Sequence, residues 1–177
     1  MFILLALVIP IISFFIQSYP RFFNRSFGVD VWTRLIEIDH VRKHNHKIPG
    51  KIGDQFIIDG YFDYPPIFPL LLSYFPKKHL SVLQGVIAPL IDSLQVLLVY
   101  FVAYFLTNDT SLALVSQAIY TLTPVIAIEN SYLTPRSLGY LNFSLALLPL
   151  LFFIFYGGWH FALMGLIFTT LLFLTHR

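Results

Sequence analysis

The sequence predicts an all-α polytopic membrane bundle of about five spanning helices, with an amphipathic interfacial helix and a re-entrant or interfacial helix in its first large loop. Three observations lead there. Hydrophobic residues make up 57% of the chain and charged residues 11%, with a mean hydropathy of +0.76, whereas a soluble domain carries roughly 25% charge. Five apolar runs approach the ~20 residues that a helix needs to cross the hydrocarbon core. Most of the charge lies between residues 20 and 64.

The elements follow in chain order within a single transmembrane domain, residues 1–177. Residues 1–19 lack a basic leader and a small-residue cleavage site ahead of Tyr19-Pro20, which predicts an uncleaved first span. Residues 20–79 form the large polar loop. Seven basic residues (Arg21, Arg25, Arg34, Arg42, Lys43, Lys47 and Lys51) interleave there with Asp30, Glu37, Asp39, Asp54, Asp59 and Asp63. Within the loop, Val31, Leu35 and Ile38 recur at helical spacing, so residues 31–43 read as an interfacial helix with those three turned to lipid or to the bundle. Residues 66–75, PIFPLLLSYF, are apolar but reach only about half a bilayer, and Pro65-Pro66 and Pro76 bound them. The remaining spans are 80–107, 110–128, 137–156 and 158–175, and Asp109 in TNDT reads as a helix cap between the second and third.

Some function classes drop out. A formal charge of +2 without a basic patch argues against nucleic acid, and the absence of cysteine excludes disulfides and thiolate metal sites. His40, His44 and His46 are flanked by Arg42, Lys43 and Lys47, which disfavours a cation, and their spacing fits no ligand signature.

Counting crossings brings polar residues together. Two spans separate the 20–64 loop from ENSYLTPR (residues 129–136), and two more separate that connection from residues 175–177. All three segments then share one side, and Asp30, Glu129, Arg136 and His176 can converge on an active site at one mouth of the bundle. Each has a plainer role open to it. Asp30 suits an N-cap paired with Arg34, and Glu129 with Arg136 suits an interfacial charge pair. Asp92 in APLIDSLQ, an acid inside a span, reads as a packing residue bonded to Ser93 or Gln95, with Pro89 loosening the backbone nearby.

FGVDVWTRL, KHNHKIP and DYPPIFPLL, set between a first apolar helix and a long second span, resemble the N-terminal half of the GT-C membrane glycosyltransferases. That superfamily includes protein O-mannosyltransferases, the oligosaccharyltransferase catalytic subunit and the lipid A aminoarabinose transferase. The resemblance implies transfer of a sugar from a polyprenyl-phosphate-type lipid donor at the non-cytoplasmic face of a prokaryotic-type plasma membrane or an endomembrane. It implies Asp30 as the catalytic base and Glu129 as a second acid, with Arg136 and His176 on the donor phosphate. Trp32, Tyr64, Pro65 and Pro66 would wall the site. The resemblance also implies a divalent cation, Mg2+ or Mn2+, on Asp30 and Glu129. Several family members carry two adjacent acids where this chain has Glu129-Asn130-Ser131. Family members are several times longer, so the resemblance implies that the chain is a fragment or a truncated relative. The seven basic residues of the first loop favour a cytoplasmic side by the positive-inside rule, whereas the family puts this loop outside. Two other classes stay open: a small transporter or channel subunit using Asp92, Glu129 and His160, and a non-catalytic scaffold whose loop binds a partner or anionic lipid.

Overall fold

A computed structural model describes residues 2–24, 31–52, 60–61 and 65–175. Its helices are α1 (Phe2–Phe23), α2 (Val31–Lys43), α3 (Ile67–Ser73), α4 (Lys77–Leu83), α5 (Ile87–Thr107), α6 (Thr110–Leu122), α7 (Pro124–Glu129), α8 (Arg136–Tyr156) and α9 (Trp159–Thr175). Between α2 and α3, β1 (Lys51–Ile52) pairs antiparallel with β2 (Gly60–Tyr61), with Lys51 opposite Tyr61.

Among the described residues, three helices are long and apolar enough to cross a membrane: Leu4–Phe23, Ile87–Thr107 and Arg136–Tyr156. The other two expected spans are shorter apolar helices, α6 with 13 residues and α9 with 17. α5 packs along α1, α6 and α8, and α8 packs along α9.

The departures from the expected boundaries are made by proline and glycine in tertiary context. The first span runs past Pro20 to Phe23, because an internal proline removes one hydrogen bond while the Arg21 side chain is anchored elsewhere in the bundle. The expected 80–107 span is two helices broken around Gly85, where an added Cβ would lie 2.7 Å from the Arg21 Cβ. Glycine lets α1 approach the start of α5 closely. Pro89 stands in the first turn of α5, where no helical partner is lost, so it opens that helix instead of loosening it. The expected 110–128 span breaks at Thr123, which is extended, and Pro124, which begins α7. Asp109 caps α6 as expected, accepting from the Ser111 and Leu112 amides at 2.7 and 3.2 Å.

Helix α2 has the expected bounds, and its apolar face turns to the bundle. Val31 and Ile38 are buried with Phe68, Leu72, Leu80, Tyr132 and Leu133, and Leu35 packs against them. Arg42 fastens α2 to the end of α3, donating to the Ser73 and Phe75 carbonyls at 3.1 and 2.7 Å. Residues 66–75 hold the seven-residue α3, far shorter than the ~20 residues of a spanning helix.

Asp39 gathers the cations on this outer face, with Arg42 at 3.2 Å, Lys43 at 3.4 Å and Lys77 at 3.7 Å. Partial burial pushes its carboxyl up, but Lys77, Lys43 and Arg42 outweigh that and hold it below the usual carboxylate range. A depressed folded value means that the stability Asp39 contributes is complete above the unfolded value of about 4 and is lost as pH falls through the folded one. The protection of the α2 amides relative to the free chain is therefore expected to fall only below about pH 4, and Asp39→Asn should flatten that dependence. An acid response that survives in Asp39→Asn would assign it to another group.

Candidate functional site at one end of the bundle

The end of α1, the 129–136 connection and the end of α9 meet at one end of the molecule. Arg21, 6% exposed, donates from Nε to the Ser131 carbonyl at 3.2 Å. The last residue of α9, Thr175, is buried and accepts a hydrogen bond from Asn142 of α8 at 3.1 Å. Asp30, Tyr64 and His176 lie outside the described residues. Their chain neighbours Val31, Pro65 and Thr175 are all buried.

The connection itself differs from the exposed polar turn that its composition suggests. Residues 130–135 are all buried, under a roof of α2, α3 and α4 built on Val31, Ile38, Phe68, Leu72 and Leu80 against Tyr132 and Leu133. A buried loop must satisfy its own polar groups. Here Arg21 takes the Ser131 carbonyl, the Ser131 hydroxyl donates to the Ile128 carbonyl at 2.6 Å, and Asn130 reaches into the bundle.

Glu129 and Arg136 are ion-paired, and the Tyr132 hydroxyl donates to the same Glu129 oxygen at 2.5 Å. The Glu129 and Arg136 side chains are 32% and 36% exposed, so the pair stays reachable from outside. Arg136 stands on the rim of a cavity of about 810 Å3. The cavity runs between α5 and α8, walled mainly by apolar side chains such as Val99, Val102, Phe143, Leu147 and Leu172, with Tyr120 on one side. A cation thus sits on an apolar slot. Of the other expected wall residues, Pro65 is buried and Pro66 partly so, while Trp32 is 59% exposed on the outer face of α2.

Asp92 is fully buried, and its partners come from other segments, not from Ser93 or Gln95. Gln17 of α1 donates to Oδ2 at 2.5 Å, while Tyr120 of α6 and Asn130 donate to Oδ1 at 2.8 and 2.6 Å. Ser93 bonds to the Leu90 carbonyl and Gln95 to Ser144 of α8. The expected packing role thus holds with a different set of partners. One signal for it was present in the sequence, the lone amide Gln17 in an otherwise apolar first run. His160 lies in the first turn of α9, about 22 Å by helix rise from Thr175, so it does not share a site with Glu129.

The histidines at the end of α2 and just after it make local ring contacts. His40 and His44 lie ring to ring at 4.8 Å, and His46 stacks on Tyr74 and bonds through Nδ1 to the Ser73 hydroxyl at 2.7 Å. Among the described residues there is no group of three His, Cys, Asp or Glu side chains able to hold a metal ion. Comparison with known proteins adds no name to this arrangement: no family model, no curated protein and no solved structure matches the chain.

Proposed function

We propose that the chain is part of a membrane glycosyltransferase of the GT-C type, moving a sugar from a polyprenyl-phosphate-type lipid to an acceptor at the non-cytoplasmic face. The observation that carries this reading is Arg136 on the rim of an apolar cavity of about 810 Å3 between two long apolar helices. A polyprenyl phosphate asks for that combination: a slot for the chain, and a cation where the chain ends.

Arrival of the phosphate at Arg136 competes with Glu129, because one guanidinium serves both. Glu129 then stays beside Tyr132 as a free carboxylate. Asp30, which precedes the buried Val31, takes the proton of the acceptor hydroxyl. The acceptor oxygen bonds to the anomeric carbon as the bond from that carbon to the phosphate oxygen breaks, and the phosphate leaves on its lipid with the electron pair. Arg136, with His176, holds that developing charge. Among the described residues the rim offers one carboxylate, Glu129, held by Arg136 and Tyr132; Mg2+ or Mn2+ there would need Asp30 as a further ligand.

Arg136→Ala is expected to weaken binding of a polyprenyl phosphate by roughly ten- to a hundredfold, the worth of a charge-assisted contact. Glu129→Gln should tighten it, since the competitor for the guanidinium loses its charge. Both are read by titrating the lipid into the protein in nanodiscs. Unchanged binding in both variants would remove Arg136 from the donor site.

A further inference from the structure

We propose that an aromatic pocket between the C-terminal ends of α5 and α8 holds the phosphocholine headgroup of a bilayer lipid. The pocket lies at the far end of α8 from Arg136, about 30 Å by helix rise, so the site does not depend on the glycosyltransferase reading.

Sequence spacing builds the pocket. Phe101, Tyr104, Phe105 and Asn108 recur at i, i+3, i+4 and i+7 on one face of α5 as it ends, and Phe152 and Tyr156 stand one turn apart at the end of α8. The two faces line a cavity of about 450 Å3. Both helices bring their last turns to it, so two C-terminal helix ends, each with a partial negative charge, arrive at one place. Neither has a basic residue in its last turn. Asn108 closes α5 in the left-handed region, at φ 52°, and Asp109 follows it with a full negative charge, using Oδ1 to cap α6. The first turn of α9 opens at this end as well and carries no acid, which leaves amide donors there. Negative ends and donors side by side suit a zwitterion.

The rings decide which cation that zwitterion carries. Phe105 meets Phe152 and Phe155 at 82° and 80°, edge to face, so these rings do not cover one another as a stacked pair would. A cation over an open ring face is held by the ring quadrupole, and a quaternary ammonium is the group that aromatic sites take best. It has no N–H to satisfy. A primary ammonium brings three donors, for which phenyl rings offer poor acceptors. The Tyr104 and Tyr156 hydroxyls and the Asn108 amide share the same lining and can donate to phosphodiester oxygens.

Position favours a lipid over a free headgroup. α5 and α8 are both long and apolar enough to cross a membrane, so their ends reach headgroup level, and Phe101, 47% exposed, gives the acyl chains an apolar flank beside the pocket. Aromatic residues are common at that level. A belt presents them singly to lipid, whereas here Phe101, Tyr104, Phe105, Phe152 and Tyr156 line one cavity.

The test is native mass spectrometry of the full chain released from nanodiscs made of equal parts phosphatidylcholine, phosphatidylethanolamine and phosphatidylglycerol. Retained phosphatidylcholine is expected to exceed either other lipid by at least about fivefold. Tyr104→Leu and Tyr156→Leu keep an apolar side chain and a good helix former while removing the ring, and each should lower phosphatidylcholine retention about three- to tenfold. The other two lipids should be unaffected. Both positions are exposed, at 39% and 72%, so the fold tolerates the changes. Equal retention of the three lipids by the unaltered chain overturns the site, as does phosphatidylethanolamine retained as well as phosphatidylcholine. A phosphatidylcholine preference that survives both substitutions together also overturns it, because the headgroup would then sit elsewhere on the bundle.

Discussion

Asp30→Asn is expected to lower sugar transfer by about a hundred- to ten-thousandfold while donor binding stays within a few-fold, the range of a lost general base. The substitution keeps an acceptor oxygen ahead of α2, and Asn and Asp cap helices about equally well. Val31 and Ile38 therefore retain their packing against Tyr132 and Leu133, and the roof over the connection stays closed. Arg136 and its cavity are untouched by the change. Transfer and lipid binding measured on the same reconstituted sample separate chemistry from folding. Normal transfer by Asp30→Asn would remove the base from the mechanism and leave the loop as a cover for the connection.

Asp92→Leu is expected to cost at least about 2 kcal/mol of stability, because three buried donors lose their acceptor at once. A buried group left unpaired costs about 1–3 kcal/mol in water-soluble proteins, and an intramembrane hydrogen bond is worth about 0.6 kcal/mol on average. Gln17, Tyr120 and Asn130 all depend on the two oxygens of Asp92. Asp92→Asn should stay within about 1 kcal/mol. Its Oδ1 can still accept from Tyr120 and Asn130, and the Gln17 amide can turn to accept from its nitrogen. Thermal or denaturant unfolding in micelles compares the two. Equal losses would mean that side-chain volume, not the hydrogen-bond network, holds the three segments together. Because Asn130 follows Glu129 directly, the leucine variant should also loosen the Glu129–Arg136 pair.

Much of the local structure was legible in the sequence. The apolar spacing of Val31, Leu35 and Ile38 pointed to the helix α2, and the short proline-bounded run at 66–75 holds the seven-residue α3. Helix breaks were read less well, because hydropathy does not register them. Residues 80–107 and 110–128 are each continuous in apolarity, yet Gly85 interrupts one where α1 comes close and Pro124 the other. Pro20 has the reverse effect and stays inside α1, whose Arg21 is held by the Ser131 carbonyl. The structure brings the 129–136 connection to the end of α1, where Arg21 meets Ser131, as the counting of apolar runs leads one to expect. That counting could not show that the connection lies under a roof.

The sequence by itself determined that the chain is helical and suited to a membrane, that its charges collect around one loop, and that Asp92 needs polar company. Those properties depend on composition and on neighbours within a turn or two, where apolar length and capping act locally. Only the tertiary structure decided which company. Gln17 reaches Asp92 across 75 residues of chain and Asn130 across 38, and Arg21 meets Ser131 across 110. The tertiary structure likewise paired Arg136 with Glu129 on the rim of an apolar cavity and buried the segment between them. A buried polar group takes whichever partner the packing brings within about 3 Å, and packing is a property of the whole bundle, not of any one stretch of it.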